Sequence, residues 1–415
     1  MDANAREKNR GGAKTMKKES RLFLLLTSSM ALSLYIIHGY TPSLPEISNT
    51  FHMGIGDVAN TISLYLIGFG ISPLIYAPCS DRFGRRPIVL FGIALTLLSS
   101  ILATISWSFY VLLLARLIQG IGMGVVPGTM RCMAADISKT GSDLGRLIHK
   151  SGTIFALMPA IAPITGGYIQ YQFGWRFNLF SIVIFTTIIA VIAHFYLPET
   201  ITEKTKKIPH PKLVFKKYFT LLTCPRFILF PLFSLASFTG MVSYLTYSPY
   251  FYQNQLNLNP FENGLIGIVA TLSIVVGHII NVYMLKRTTL ITMLVVSGFW
   301  QLLSGIIMFF QIHYLPYNIL TLAVPFFIYL LGDSGIRTNA YSHAMSISDV
   351  EKSTASAVFS TIQFAGSGII ISLLMHIHFG SPIPLSIIFC TIGAFIFLMN
   401  IMFCREQSSK SFSHL

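Results

Sequence analysis

Charge is scarce in this chain. Asp, Glu, Lys and Arg make up 11% of the residues, against about a quarter in soluble domains. Acids are the scarcer sign, 15 against 29 Lys and Arg. So little polar surface excludes an ordinary water-soluble fold. The five cysteines (Cys79, Cys132, Cys224, Cys390 and Cys404) have no ligand-like spacing, and four of them fall at helix ends expected to face the cytoplasm. Neither a disulfide framework nor a zinc site is expected. The stretch GGAKT at 11–15 does not have the G-x-x-x-x-G-K-[ST] spacing of a phosphate-binding loop, so ATP-driven pumping finds no support. No catalytic triad or haem motif is present. An enzyme is not expected, nor is any cofactor or metal. The alternation of a membrane β-barrel, in segments of about ten residues, is also missing.

Apolar runs fill the space instead, with 53% of the residues hydrophobic. Twelve candidates lie at about 22–44, 57–79, 87–108, 110–133, 147–170, 176–197, 227–251, 263–285, 290–311, 317–341, 355–377 and 383–404. Each can cross about 30 Å of hydrocarbon as a helix, and a helix satisfies its backbone hydrogen bonds internally, as lipid demands. The expected class is an all-α integral membrane protein.

The net charge of +14 is unevenly placed. Basic residues precede the first run (Arg6 to Arg21) and then occupy alternate loops. These hold Arg82, Arg85 and Arg86; Lys139, Arg146 and Lys150; Lys204 to Arg226; Lys286 and Arg287; Lys352; and finally Arg405 and Lys410. Among the other loops Arg176 is the exception. This positive-inside pattern puts both termini in the cytoplasm, which requires an even number of spans. The basic excess therefore reads as orientation and contact with anionic membrane lipid, not nucleic acid. Residues 1–20 read as a disordered tail, and Met16 is an alternative start. The run that follows is too long for a signal peptide and no small-residue cleavage site follows it, so the first span is expected to be retained.

The longest polar segment, 198–225, carries four prolines and six lysines. It divides the chain into a bundle at 21–197, a basic cytoplasmic linker at 198–225, a second bundle at 226–404 and a tail at 405–415. QGIGMGVVPGTMRCMAADIS (119–138) aligns without gaps on YLLGDSGIRTNAYSHAMSIS (329–348), with identities at Gly122/Gly332, Ala134/Ala344, Ile137/Ile347 and Ser138/Ser348. Both stretches end the fourth run of their half. Two pseudo-symmetric six-helix bundles, with a site between them near the bilayer midplane, are expected.

Between the second and third runs stands APCSDRFGRRPIVL (77–90). It resembles the signature loop of the major facilitator superfamily, G-P-L-S-D-R-x-G-R-R-P, matching at Asp81, Arg82, Gly84, Arg85, Arg86 and Pro87, with Ala77 in place of the leading glycine. Gly84 permits a tight turn. Asp81 sits where it can reach a helix N-terminus or a basic partner in the other half. This fits a cytoplasmic gate, with contacts that form in one state and break in the other; the alternative is an ordinary positive-inside loop. LLLARLIQGIGMG (112–124) resembles the superfamily's fourth-helix motif. The stretch 156–180, with Pro159, Pro163, Gly166 and Gly167, resembles the fifth-helix motif of drug:proton antiporters, and TASAVF (354–359) agrees. The likeness spans nearly the whole chain and is closest to the Bcr/CflA-type drug-resistance antiporters.

That subfamily's first helix commonly reads D-x-Y-L-P-x-L-P. Here the frame reads His38-Gly39-Tyr40-Thr41-Pro42-Ser43-Leu44-Pro45, with histidine in place of the intramembrane acid. Histidine still titrates near neutral pH, but proton loading makes it cationic and favours anionic or zwitterionic substrates. The alternative is a neutral ring bonded to a neighbouring helix. Arg116 neutralises an anionic substrate, modulates a proton site, or is a structural cation held by helix carbonyls. Asp333 and Arg337 stand four residues apart on one helix face. Asp333 is a second candidate proton carrier, or half of an internal ion pair or gate. Tyr40, Tyr244 and Tyr247, with Phe238 and Tyr250, are candidate cavity residues. The prolines and glycines of the fifth run form a candidate gating hinge, and Asp136 is a candidate capping or inter-loop partner.

What the resemblance implies is a monomeric secondary transporter in a bacterial inner membrane, exporting a small organic molecule such as a drug, siderophore or metabolite in exchange for protons. The alternatives are an uptake symporter or facilitator for a nutrient or metal chelate, and a transport-inactive sensor or scaffold.

Overall fold

The computed structural model describes residues 23–137, 141–201, 211–348, 350, 352–376 and 381–412. The expected tail at 1–20, the alternative start and GGAKT lie outside them. Membrane helices are numbered in chain order: α1 Phe23–Phe51, α2 Ile55–Phe83, α3 Arg85–Thr104, α4 Phe109–Ile137, α5 Gly141–Phe173, α6 Trp175–Tyr196, α7 Pro225–Gln255, α8 Pro260–Met284, α9 Leu290–Tyr314, α10 Leu320–Ser346, α11 Lys352–Leu374 and α12 Ile383–Phe412. Among the described residues, eleven of these are long and apolar enough to cross a membrane. The other long helix, α5, runs for 33 residues and contains Pro159 and Pro163.

Several helices outrun their apolar stretches. α2 continues to Phe83 and α4 to Ile137, because the helical backbone persists into water once lipid no longer selects for apolar side chains. The expected linker contains a helix of its own, at Pro211–Leu222. Starts are set locally. At α8, Asn259 accepts from the Glu262 amide (2.9 Å) while Glu262 accepts from the Asn259 amide (2.8 Å), a reciprocal cap. In α1 the helix yields to a turn at Gly39-Tyr40 and a 3-10 segment, Thr41–Ser43, since Pro42 and Pro45 withhold amide donors.

The helices pack as two repeats. In the first half α2 and α3 lie on α4, and α3 on α6. In the second, α8 and α9 lie on α10, and α9 on α12. Adding six to each helix number converts one set into the other. The main contacts between halves are α2 with α11 and α5 with α8, and the same shift exchanges those two pairs. This is the two-bundle fold expected from the sequence, with inner helices around a shared crevice and outer faces apolar for lipid, as at Leu98, Phe195, Ile279 and Leu373.

Candidate functional site

A cavity of about 910 Å³ lies between the halves, within the range of roughly 300–1,000 Å³ that accommodates drug-sized ligands. It reaches from His38, midway along α1, to Asp81 near the end of α2, Arg85 at the start of α3 and Lys352 at the start of α11. Its deeper wall is apolar and aromatic. Phe69 of α2 and Phe238 of α7 both meet Phe364 of α11 edge-on, with centroids 5.0 and 5.1 Å away.

The opposite end is closed by contacts between the halves. Tyr250 donates its hydroxyl proton to the Leu44 carbonyl (3.2 Å), and Gln253 donates to the Pro42 carbonyl (2.9 Å). Ser372 donates to Asn60 (2.6 Å). The α5 motif belongs to this seal. Gly166 rests against the backbone of Gly39, and Gly167 against the carbonyl of Pro260 on α8, so a β-carbon at either position would strike backbone. Pro159 and Pro163 lie in the same strip, against Gly267 and Gly264. Small residues let the two halves approach to backbone contact there.

His38 lines the cavity with only 4% of its surface exposed, and its Nδ1 has no hydrogen-bond partner among the described residues. Across the cavity stands Arg337 of α10. Its Nη2 lies 2.8 Å from Asp333 Oδ2, and its Nε is buried without a partner among the described residues. The pair is asymmetric. Asp333 is wholly buried while 26% of the Arg337 side chain is exposed, so the positive end faces the cavity. Ser237 of α7 donates to Asp333 Oδ1 (2.7 Å), and Gln301 of α9 donates to Ser237 Oγ (2.6 Å). The carboxylate thus ties three helices together behind the wall. A polar relay of this kind was not evident from the sequence, because Ser237 and Gln301 lie far from Asp333 along the chain.

Other candidate cavity residues sit elsewhere. Arg116 is fully buried and is not among the cavity's lining residues. Its guanidinium donates to the carbonyls of Thr61 (3.2 Å) and Ile36 (3.4 Å) and to Gln119 Oε1 (2.6 Å). It also lies over the rings of Tyr40 and Tyr65, at 4.3 and 4.8 Å. Tyr40 is buried with its hydroxyl on Thr61 (3.0 Å). Tyr244 is stacked on Phe326 at 3.5 Å and shares a hydrogen bond with Tyr252. Tyr247 is also buried. None of these tyrosines lines the cavity, whereas Phe238 does.

At the open end the signature loop contacts the rest of the first half. Gly84 turns the chain with φ of +104°, a conformation suited to glycine. Arg85 pairs with Asp81 (3.3 Å) and with Asp136 (2.6 Å). Arg86 donates to the His194 carbonyl (2.7 Å), and Arg82 lies over the Phe83 ring. Glu199, not singled out in the sequence, accepts from the amides of Arg85 (3.1 Å) and Arg86 (3.3 Å). It places a carboxylate on the N-terminus of α3. The only signal for it was its position just after the sixth apolar run.

The chain matches the family model described as Major Facilitator Superfamily over residues 22–371. It is 26% identical to the multidrug resistance protein D of Escherichia coli over 369 residues, covering 86% of this chain and 90% of that protein. It is 24% identical to a bicyclomycin resistance protein homologue of Haemophilus influenzae, covering 89% and 93%. Solved structures share the fold. A peptide transporter bound to sulfate matches with a TM-score of 0.75 at 15% identity, covering 94% of both chains. A D-xylose–proton symporter matches at 0.72 and 14%, covering 92% and 96%. The chain belongs to the major facilitator superfamily, and is a multi-pass membrane transporter of small molecules, not an enzyme.

Proposed function

We propose that this protein is a proton-coupled exporter of a small organic molecule, working by alternating access in a bacterial inner membrane. The observation that carries the reading is the cavity between the halves. It is closed by α1 and α5 against α7 and α8, and is open at the end where the basic loops gather. In this orientation both termini and the open end are cytoplasmic, and the state is ready to load substrate from inside. The moving bodies are the bundles at 21–197 and 226–404, with 198–225 as the linker and one chain as the working unit.

His38 and Asp333 are the proposed proton carriers. One faces the cavity, and the other sits behind it on a chain of hydrogen bonds. A proton falling through about 100 mV releases about 2.3 kcal/mol, enough to support a substrate gradient of roughly fifty-fold. The strip of Pro159, Pro163, Gly166 and Gly167 is the proposed hinge and seal. Asp81, Arg82, Gly84, Arg85 and Arg86 are the proposed gate, which re-pairs across the halves when the open end closes. Export rather than uptake is supported by the resistance named in both relatives.

The test is transport into inside-out vesicles carrying the wild type, His38→Gln or His38→Asp. Proton-dependent uptake into such vesicles is expected for the wild type and His38→Asp, and is expected to fall at least about tenfold in His38→Gln. Full coupling in His38→Gln removes His38 from the mechanism and leaves Asp333 as the carrier. Uptake driven only in right-side-out vesicles contradicts export.

A further inference from the structure

Among the described residues, the charges that line the cavity are unequal in sign. Four lining residues are permanent cations, Arg85, Lys217, Arg337 and Lys352, and a fifth, His38, becomes one on protonation. Among the described residues that line it, Asp81 is the one carboxylate, and it lies 3.3 Å from Arg85. Asp333 does not offset this at the wall, because the ion pair turns its arginine toward the cavity and its acid away. Lys352 stands nearer the mouth, at the start of α11, where a positive charge attracts and steers oppositely charged solutes.

Two of these groups retain unused hydrogen-bonding capacity. The Nε of Arg337 and the Nδ1 of His38 are buried and unpartnered among the described residues. A buried polar atom left unpaired is costly, and a ligand that turns these side chains toward the cavity supplies the partner. The two residues come from opposite halves, and both line the cavity. Around them the wall is oily: Met30, Phe69, Phe238, Met241 and Phe364.

Taking export as read, we infer that the substrate is an amphipathic organic anion. Its apolar, aromatic body lies against Phe69, Phe238 and Phe364, and its carboxylate or comparable oxyanion is held between Arg337 and His38. An anion at that position bridges the two halves. An organic cation would face the positive end of the Asp333–Arg337 pair with no cavity-facing acid at that depth.

Binding to the full-length protein in phosphatidylcholine nanodiscs tests this, with empty discs as the blank. Three probes share a pyrene body: pyrenebutanoate, its primary carboxamide, and pyrenebutylamine. At neutral pH the carboxylate is expected to bind about tenfold or more tighter than the other two. Arg337→Gln is expected to bring the carboxylate within about threefold of the amide, and Arg337→Lys to restore part of the preference. If Arg337→Gln alone does not fold, the double variant Asp333→Asn/Arg337→Gln removes both charges and is expected to show the same loss of selectivity. Amide or amine binding as tight as the carboxylate overturns the inference. So does binding of none of the three, or unchanged selectivity without Arg337. Failure of the export reading looks different. Selective carboxylate binding without proton-driven transport contradicts that reading alone, whereas proton-driven transport of the amine contradicts the anion inference alone.

Discussion

Each half of the molecule carries an arginine within the apolar span of its fourth helix, Arg116 in one and Arg337 in the other, and the two are used in opposite ways. Arg116 of α4 is fully buried, bonded to the carbonyls of α1 and α2 and to Gln119, and flanked by two tyrosine rings. Arg337 of α10 has a carboxylate one turn away and a quarter of its side chain exposed to the cavity. A charge inside a membrane protein is therefore not a single kind of signal. Where helix carbonyls surround it, it fastens helices together. Where its counter-ion lies behind it and a cavity in front, it presents charge to whatever enters.

The contrast sets an order of mutational effects. The largest is expected at Arg116. Arg116→Leu strands two buried carbonyls and the Gln119 amide oxygen, at about 1–3 kcal/mol each, so a loss of at least about 3 kcal/mol is expected in thermal unfolding of the purified protein. The few molecules that fold should keep their ligand preference. Next comes the asymmetry of the second pair. Arg337→Gln leaves Asp333 buried and unpaired, at about 3 kcal/mol. Asp333→Asn leaves a cation that the cavity can hydrate, at about 1 kcal/mol. Equal losses in calorimetry would mean that Arg337 is as enclosed as Arg116.

A third test concerns the closed end. Gly167→Val drives a side chain into the Pro260 carbonyl and should hold the seal apart. A single reporter cysteine at Ser43, in a background free of other cysteines, should then label about tenfold faster with a membrane-impermeant thiol reagent. The smallest effect is expected at Asp136→Asn. This removes one of two acids from a partly exposed Arg85 and should change stability by about 1 kcal/mol or less, with an altered rate of gate movement as its main consequence.

The membrane helices were legible because lipid selects apolar side chains over every span, and the basic loops mark one end of each. The turn between α2 and α3 was legible because Gly84 and its charged neighbours occur in one short stretch. Helix rotation was not. A tyrosine in a helix that is apolar all round can face a cavity or its own bundle, and Tyr244 finds Phe326 in its own half while Phe238, on the same helix, meets Phe364 at the crevice. Long-range partners were likewise hidden. Glu199 reaches Arg85 and Arg86 only because the chain returns after α6, and Ser237 reaches Asp333 only through the packing of α7 on α10. His38 was singled out by its departure from a resemblance, and its lack of a partner became visible only with its surroundings in place.

Everything in the mechanism requires that one end of the crevice open as the other closes. Two pairs of spin labels measure this, one at exposed Phe83 and Lys352 on the open end and one at Thr50 and Asn254 on the closed end. With each pair introduced separately into the full chain in lipid discs, pulsed dipolar distances are recorded with and without a transported substrate and across pH. The expected result is reciprocal change, the first pair drawing together in the conditions that separate the second. Distances that stay constant in both pairs, or that lengthen together, would contradict alternating access in this protein.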